Sequence, residues 1–480
     1  MHLKQKIEGY GFNYSNKKFY LTLLGTFLFV VGMAWLYGLP YYCIIGLGIL
    51  SIICCPSIIK AQFIWRYEQQ KFEAACIYIE QMLCSFQKNP KILVALKDTA
   101  SITDGKLNIL INRAIDMIEA TTSSNIYEEA FNIIEKEYNC TRIKVIHKFF
   151  IRMEKNGGSC TKSIKLLLDD FYKWQERVYL FQSDRTRIKR NTFIGIVISV
   201  LVTSINFLIK KYCDITVLPI YYIATTLFLA ILVLFIMVSQ SKLNVSWIEP
   251  PADDARILRM YTRALQSTNK KPLSEIIFFV IVLIITAALI YAAYATKKSI
   301  FYFFAAPIAV FTVYILFSNN INKKNAMKIT VSEIRAGFSD WLRDVALNLQ
   351  YTTLEKSISE SLEFCPVVLR SPVEALLEEI EDNPGSVEPF YNFLSEFNLI
   401  DIKSSVKILY SLSEIGGAER DTTLEHLVER NNLMIDKNDR DRRKTSNAAM
   451  NYVVLIPLVL ATVKLAVDML LVINTFLSSV

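Results

Sequence analysis

Lys464 and Asp468 stand four residues apart inside an otherwise apolar run near the C-terminus. On a helix that spacing puts an ammonium and a carboxylate on one face. Ionisable groups at membrane depth are costly, so a pair of them points to a purpose. Two chemistries fit. One is an ion or proton relay; the other is a local ion pair facing neighbouring helices. A relay needs further ionisable groups near the midplane, and the other long apolar runs hold almost none.

A second set is basic. Lys144, Lys148, Arg152 and Lys155 follow one another at spacings of four, four and three, so they share one helix face. Such a stripe is either a solvated face or a docking face for an acidic partner. Lys403 and Lys407 repeat its first two positions later in the chain, where Ser411 and Glu414 replace the last two. Histidines are few: His2, His147 and His426, without ligand spacing. His147 and His426 read as helix-surface residues. The nine cysteines form no CxxC pair and read as reduced thiols. No GxSxG, HExxH or Walker pattern is present. The expectation is a protein that is not an enzyme, with no catalytic centre, no cofactor and no metal.

Two glycine pairs, Gly157-Gly158 in "EKNGGSC" and Gly416-Gly417 in "SEIGGAER", are conspicuous in a chain with 15 glycines in 480 residues. A phosphate-binding loop would need the Walker lysine and a leading strand, and neither pair has them. Each pair instead follows an amphipathic segment. Glycine past a helix end adopts positive φ and lets the chain turn back. Thr161 or Ser159 would cap the next helix in the first case, and Asp421 or Thr422 in the second.

The elements that must carry these residues follow from hydropathy. The chain is 52% hydrophobic and 20% charged, with a mean hydropathy of +0.31. That is a membrane protein with sizeable polar parts. A bilayer core needs about 20 apolar residues per helix. About seven runs qualify, beginning near Tyr20, Tyr41, Thr192, Ile215, Ile276, Ile300 and Asn451. The expected fold class is therefore all-α: a polytopic membrane protein with two similar cytoplasmic helical bundles. Its expected parts are a cytoplasmic N-terminus (1–19), hairpin 1 (20–60), bundle 1 (61–190) and hairpin 2 (191–239). A cytoplasmic linker (240–274), hairpin 3 (275–318), bundle 2 (319–448) and a last transmembrane helix (449–480) follow. Basic residues orient it. Arg185, Arg187, Lys189 and Arg190, then Lys323, Lys324 and Lys328, then Arg440, Arg442, Arg443 and Lys444 all flank the polar regions. The N-terminus and both polar regions are expected in the cytoplasm, the C-terminus outside. The net charge of +8 is read as this bias and not as nucleic-acid binding. The first polar region is basic overall and the second strongly acidic, so opposite fields would steer contacts between them or with unlike surfaces of one partner.

The polar regions look like one module used twice. Gly416 lies 259 residues after Gly157, and at that offset Glu137 meets Glu396, Asn139 meets Asn398, Ile143 meets Ile402 and Lys144 meets Lys403. Lys148 also meets Lys407, and Met153 meets Leu412.

The segments "FFIRMEKNGGSCTKSIKLLLDDF" and "LYSLSEIGGAERDTTLEHLVE", each flanked by membrane hairpins, resemble the F-domain of the type II secretion family. The helical pair before each domain makes the arrangement similar to the platform proteins of Tad pili and archaella, two units fused in one chain. The family's earlier glycine is missing from "FQKNPKIL" and "LQYTTLEK". The resemblance implies a scaffold in a prokaryotic inner membrane. It would anchor a pilin or pseudopilin filament and couple it to a cytoplasmic secretion ATPase, with a homodimer suited to a central platform. A transporter or channel is the alternative, and a membrane-bound enzyme or sensor a third.

Overall fold

The computed structural model describes residues 16–120, 125–157, 161–204, 215–243, 254–265, 300–349, 352–415 and 418–479. Among these residues the secondary structure is helical throughout, with no strand. In chain order the helices are α1 (Asn16–Leu36), α2 (Tyr41–Lys88), α3 (Ile92–Ile102), α4 (Gly105–Ala120), α5 (Ile126–Tyr138), α6 (Thr141–Asn156) and α7 (Thr161–Thr203). There follow α8 (Pro219–Leu243), α9 (Asp254–Leu265), α10 (Ile300–Leu349), α11 (Leu354–Ser361), α12 (Val367–Asp382), α13 (Glu388–Asn392), α14 (Ile400–Glu414) and α15 (Ala418–Ser479).

Four of these helices are long and apolar enough to cross a membrane: Phe19–Leu36 within α1, α2, Pro219–Ser241 within α8, and Val453–Phe476 within α15. Of the other three expected runs, the one from Thr192 forms the end of α7 and the one from Ile300 the start of α10. The run from Ile276 lies outside the described residues. The expected part boundaries at 60/61, 190/191, 318/319 and 448/449 all fall inside single helices, α2, α7, α10 and α15. Hydropathy changes at those points while the helical backbone does not.

The chain divides into two compact units: residues 1–251 with 443–480, and residues 252–442. In the first, α1 and α2 form a tight hairpin closed by Tyr37-Gly38-Leu39-Pro40, with Gly38 at φ 68°. Ala34, Tyr37, Leu39, Leu47, Phe228, Leu229, Leu232 and Ala461 pack α1, α2, α8 and α15 into one apolar core. Gly48 matters there, because a Cβ at that position would sit 2.6 Å from the Phe27 ring. The outward faces keep Leu21, Leu24, Leu28 and Phe29 exposed.

The polar half of the first unit wraps α3–α7 around the second half of α2. Phe72, Tyr78, Met82 and Phe86 of α2 are fully buried, as are Ile111, Phe131, Ile134, Phe150 and Phe171, and Phe86 stacks on Phe150 at 4.2 Å. The second unit has its own core, to which the second half of α10 contributes. Phe338, Trp341, Leu342 and Val345 are buried against Ile358, Leu369, Phe390, Phe393, Ile402, Val406 and Leu409. The expected linker contains a helix, α9. Its apolar face, Ile257, Tyr261 and Ala264, packs on that second core.

Candidate functional site

The α5–α6 corner carries the first candidate residues. Asn139 ends α5 in a left-handed conformation, φ 39° and ψ 52°. An asparagine tolerates that region better than most residues. The chain then turns into α6, and Lys144 reaches back so that its Nζ donates to Asn139 Oδ1 at 3.3 Å. The corner before α14 repeats this geometry. Asn398 has φ 47° and ψ 47°, and Lys403 Nζ donates to Asn398 Oδ1 at 3.4 Å. Buried positions match across the 259-residue offset: Phe131 with Phe390, Ile143 with Ile402, Phe150 with Leu409, and Met153 with Leu412.

The basic stripe is thus partly occupied by its own fold. Lys144, Lys148 and Arg152 are half-buried and Lys155 is exposed. Lys155 Nζ lies 3.9 Å from Glu128 Oε1, and Lys148 and Arg152 also have partners. Lys407 is exposed on α14. Where Arg142 would be in the second unit stands Asp401. Arg142 pairs with Asp170 at 3.4 Å, while Asp401 pairs with Arg335 at 2.9 Å, so the position keeps an ion pair with its sign inverted.

Gly157 follows α6 with φ 71° and ψ −170°, and its N–H donates to Met153 O at 2.9 Å. This backbone region is essentially glycine-only. Gly158, Gly416 and Gly417 lie outside the described residues. The capping expectation needs correcting. Thr161 is the first helical residue of α7 and not its cap, Ser159 lies outside the described residues, and α15 begins at Ala418. Asp421 and Thr422 therefore lie inside a helix, whose start is set by the strong helix formers Ala418, Glu419 and Arg420 just before them.

His147 is a correction. It was expected on a helix surface but is 1% exposed. Its Nε2 lies 2.7 Å from the Tyr78 hydroxyl and its Nδ1 2.7 Å from Glu135 Oε1. Its ring stacks on Phe131 at 3.7 Å. Burial pushes the imidazole pKa below its ordinary value, against the opposing pull of Glu135. A neutral ring with the proton on Nδ1 satisfies both partners: it donates to Glu135 and accepts from Tyr78. The signal was in the sequence, because Ile143, His147 and Phe150 follow the four-then-three spacing of a buried stripe. His426 is exposed, as expected.

Lys464 and Asp468 are 3% and 1% exposed and form an ion pair along α15. Two aromatic faces cover the ammonium, Tyr221 at 4.9 Å and Tyr37 at 5.3 Å. These tyrosines belong to a hydrogen-bonded set at the tip of the α1–α2 hairpin. Tyr37 Oη lies 2.6 Å from Thr203 Oγ1 and donates to Val200 O at 3.0 Å, and Tyr221 Oη donates to Tyr37 O at 3.0 Å. The pair therefore sits where α15, α7, α8 and the hairpin tip meet. Trp35, Tyr41 and Tyr42 at the same tip are exposed, the placement of an aromatic interface belt.

Among the described residues no group of three or more His, Cys, Asp or Glu side chains could hold a metal ion. A comparison of the chain with family models, with curated proteins and with solved structures finds no match.

Proposed function

We propose that the chain is an integral membrane assembly platform of a type IV pilus-like machine, related to the Tad, archaellum and type II secretion platforms. In this reading about seven spans carry two copies of one cytoplasmic helical module in a prokaryotic inner membrane. Pilin or pseudopilin helices dock on the spans, and a secretion ATPase docks on the modules.

The observation that supports it best is the repeated corner. The same left-handed asparagine, the same lysine clasp and the same buried ladder recur 259 residues apart. Chance similarity of two amphipathic bundles does not require a shared backbone irregularity at the same offset. Continuity of α2 and α7 from bundle into apolar run adds a mechanical argument. A push on the bundle would travel along an unbroken helix into the bilayer, with no flexible linker to absorb it.

The test is affinity capture of the full chain from its native membrane. The expected result is co-purification of a hexameric ATPase and of short proteins with one N-terminal apolar helix. The buried Lys464–Asp468 pair favours a second reading, a transporter or channel. Ion or solute flux through vesicles holding the purified chain alone would establish that reading and overturn the platform.

A further inference from the structure

The face of α7 just before its apolar run holds hydrogen-bond donors without acceptors. Arg185 is 8% exposed, and its Nε and Nη1 are enclosed with no hydrogen-bond partner. Gln182 Nε2, three residues earlier, is enclosed and unpaired as well. Lys189, four residues after Arg185, holds its Nζ 3.3 Å from the centre of the Trp65 ring on α2. The positions 182, 185 and 189 lie on one face of a helix.

Like charges at this spacing repel. Burial first, and then the nearby Arg185, pushes Lys189 down to about 8. Burial alone lowers Arg185, and no carboxylate counters it. Glu68, one turn from Trp65, makes no ion pair with Arg185 among the described residues. An enclosed guanidinium without a counter-charge is strongly destabilising. The arrangement calls for an anion with several acceptor oxygens.

Position decides which anion. Arg185 lies two turns before Thr192, where the apolar run begins, and Trp65 lies just past the apolar part of α2. Tryptophan beside lysine at such a junction marks the headgroup level of a bilayer. We infer that Gln182, Arg185, Lys189 and Trp65 form a binding site for the phosphate of an anionic phospholipid headgroup. Arg185 supplies the geometry, since its fork matches phosphate oxygens. Lys189 supplies a second charge, and Trp65 fixes its ammonium.

The site rests on the chain's being membrane-embedded, not on the platform reading. The experiment uses the full chain in non-ionic detergent micelles, titrated with dioleoyl phosphatidylglycerol or dioleoyl phosphatidylcholine. Retained lipid is read by native mass spectrometry and stability by thermal unfolding. Phosphatidylglycerol is expected to bind at least about tenfold more tightly, a difference of about 1.4 kcal/mol. Arg185→Gln is expected to remove that preference. Without lipid the same substitution is expected to leave the unfolding midpoint unchanged or raised, because it removes an uncompensated charge. A merely structural arginine would lower it. If that variant fails to fold, Gln182→Leu and Lys189→Gln are each expected to reduce the preference about threefold. Equal retention of both lipids overturns the site, and so does a preference untouched by all three variants. Displacement of phosphatidylglycerol by inorganic phosphate at equal concentration also overturns it, in favour of a free anion. Retention of neither lipid would instead indict the membrane embedding.

Discussion

His147 shows how much a single side chain can hold. Its ring fills the centre of the first bundle and joins α2, α5 and α6 through Tyr78, Glu135 and Phe131. In the second unit Val406 stands at the position 259 residues on and is also fully buried. Replacing His147 by valine would strand the Tyr78 hydroxyl and open a cavity. The expected loss is about 3 kcal/mol, from an unpaired buried polar group and missing packing. Chemical denaturation of the chain in micelles measures it. The pH response follows from the lowered imidazole pKa. The unfolded chain takes up a proton as pH falls through about 6.5, while the folded ring resists until lower pH. The unfolded state then binds more protons, so stability falls as pH drops below about 6.5. His147→Gln keeps a donor and an acceptor but cannot titrate. Melting curves at pH 7.5 and 5.5 should show the bundle's drop in the native chain and a smaller one in the glutamine variant.

At the scale of elements, glycine and asparagine fix the corners. Gly157→Val forces a branched side chain into a region that only glycine occupies easily, a cost of about 1–3 kcal/mol. Asn139→Gly is expected to be nearly neutral and Asn139→Val to cost about 1–2 kcal/mol; melting midpoints of the three variants check both statements. Gly48→Val would drive a side chain into Phe27 and separate α1 from α2, which proteolysis between the hairpin arms would reveal. Much of this level was legible in the sequence. The apolar stripes, the glycine after α6 and the recurrence at Asn139 and Asn398 all leave local signals. The unbroken helices did not. Hydropathy reports the solvent around a segment and says nothing about whether its backbone continues, so α2 and α7 looked like separate spans and bundle helices. The helix in the expected linker was missed for another reason. "DARILRMYTRAL" is short and rich in arginine, and its place follows from the packing of Ile257 and Tyr261 on the core of the second unit. The Arg185 face was invisible too, because orphaned donors depend on what surrounds them in space.

On the scale of the whole molecule, the Lys464–Asp468 pair separates the platform from the transporter. The pair lies beneath Tyr37 and Tyr221, so it ties α15 to the α1–α2 hairpin tip and to α8. A structural pair and a relay pair respond differently to substitution. Removing one partner strands a buried charge, at a cost of about 3–5 kcal/mol, whereas replacing both with apolar residues of similar size is often neutral or stabilising. Asp468→Leu alone is therefore expected to unfold the chain at a distinctly lower temperature. Lys464→Leu with Asp468→Leu is expected to restore the midpoint to within about 1 kcal/mol of the native chain. That rescue alone does not identify the role, because a relay could be dismantled without loss of stability. The decisive readout is function in the rescued double variant. A platform whose pair is a strut still assembles filaments when both charges are gone. Loss of assembly or transport in a double variant as stable as the native chain would move the pair from scaffold to pathway.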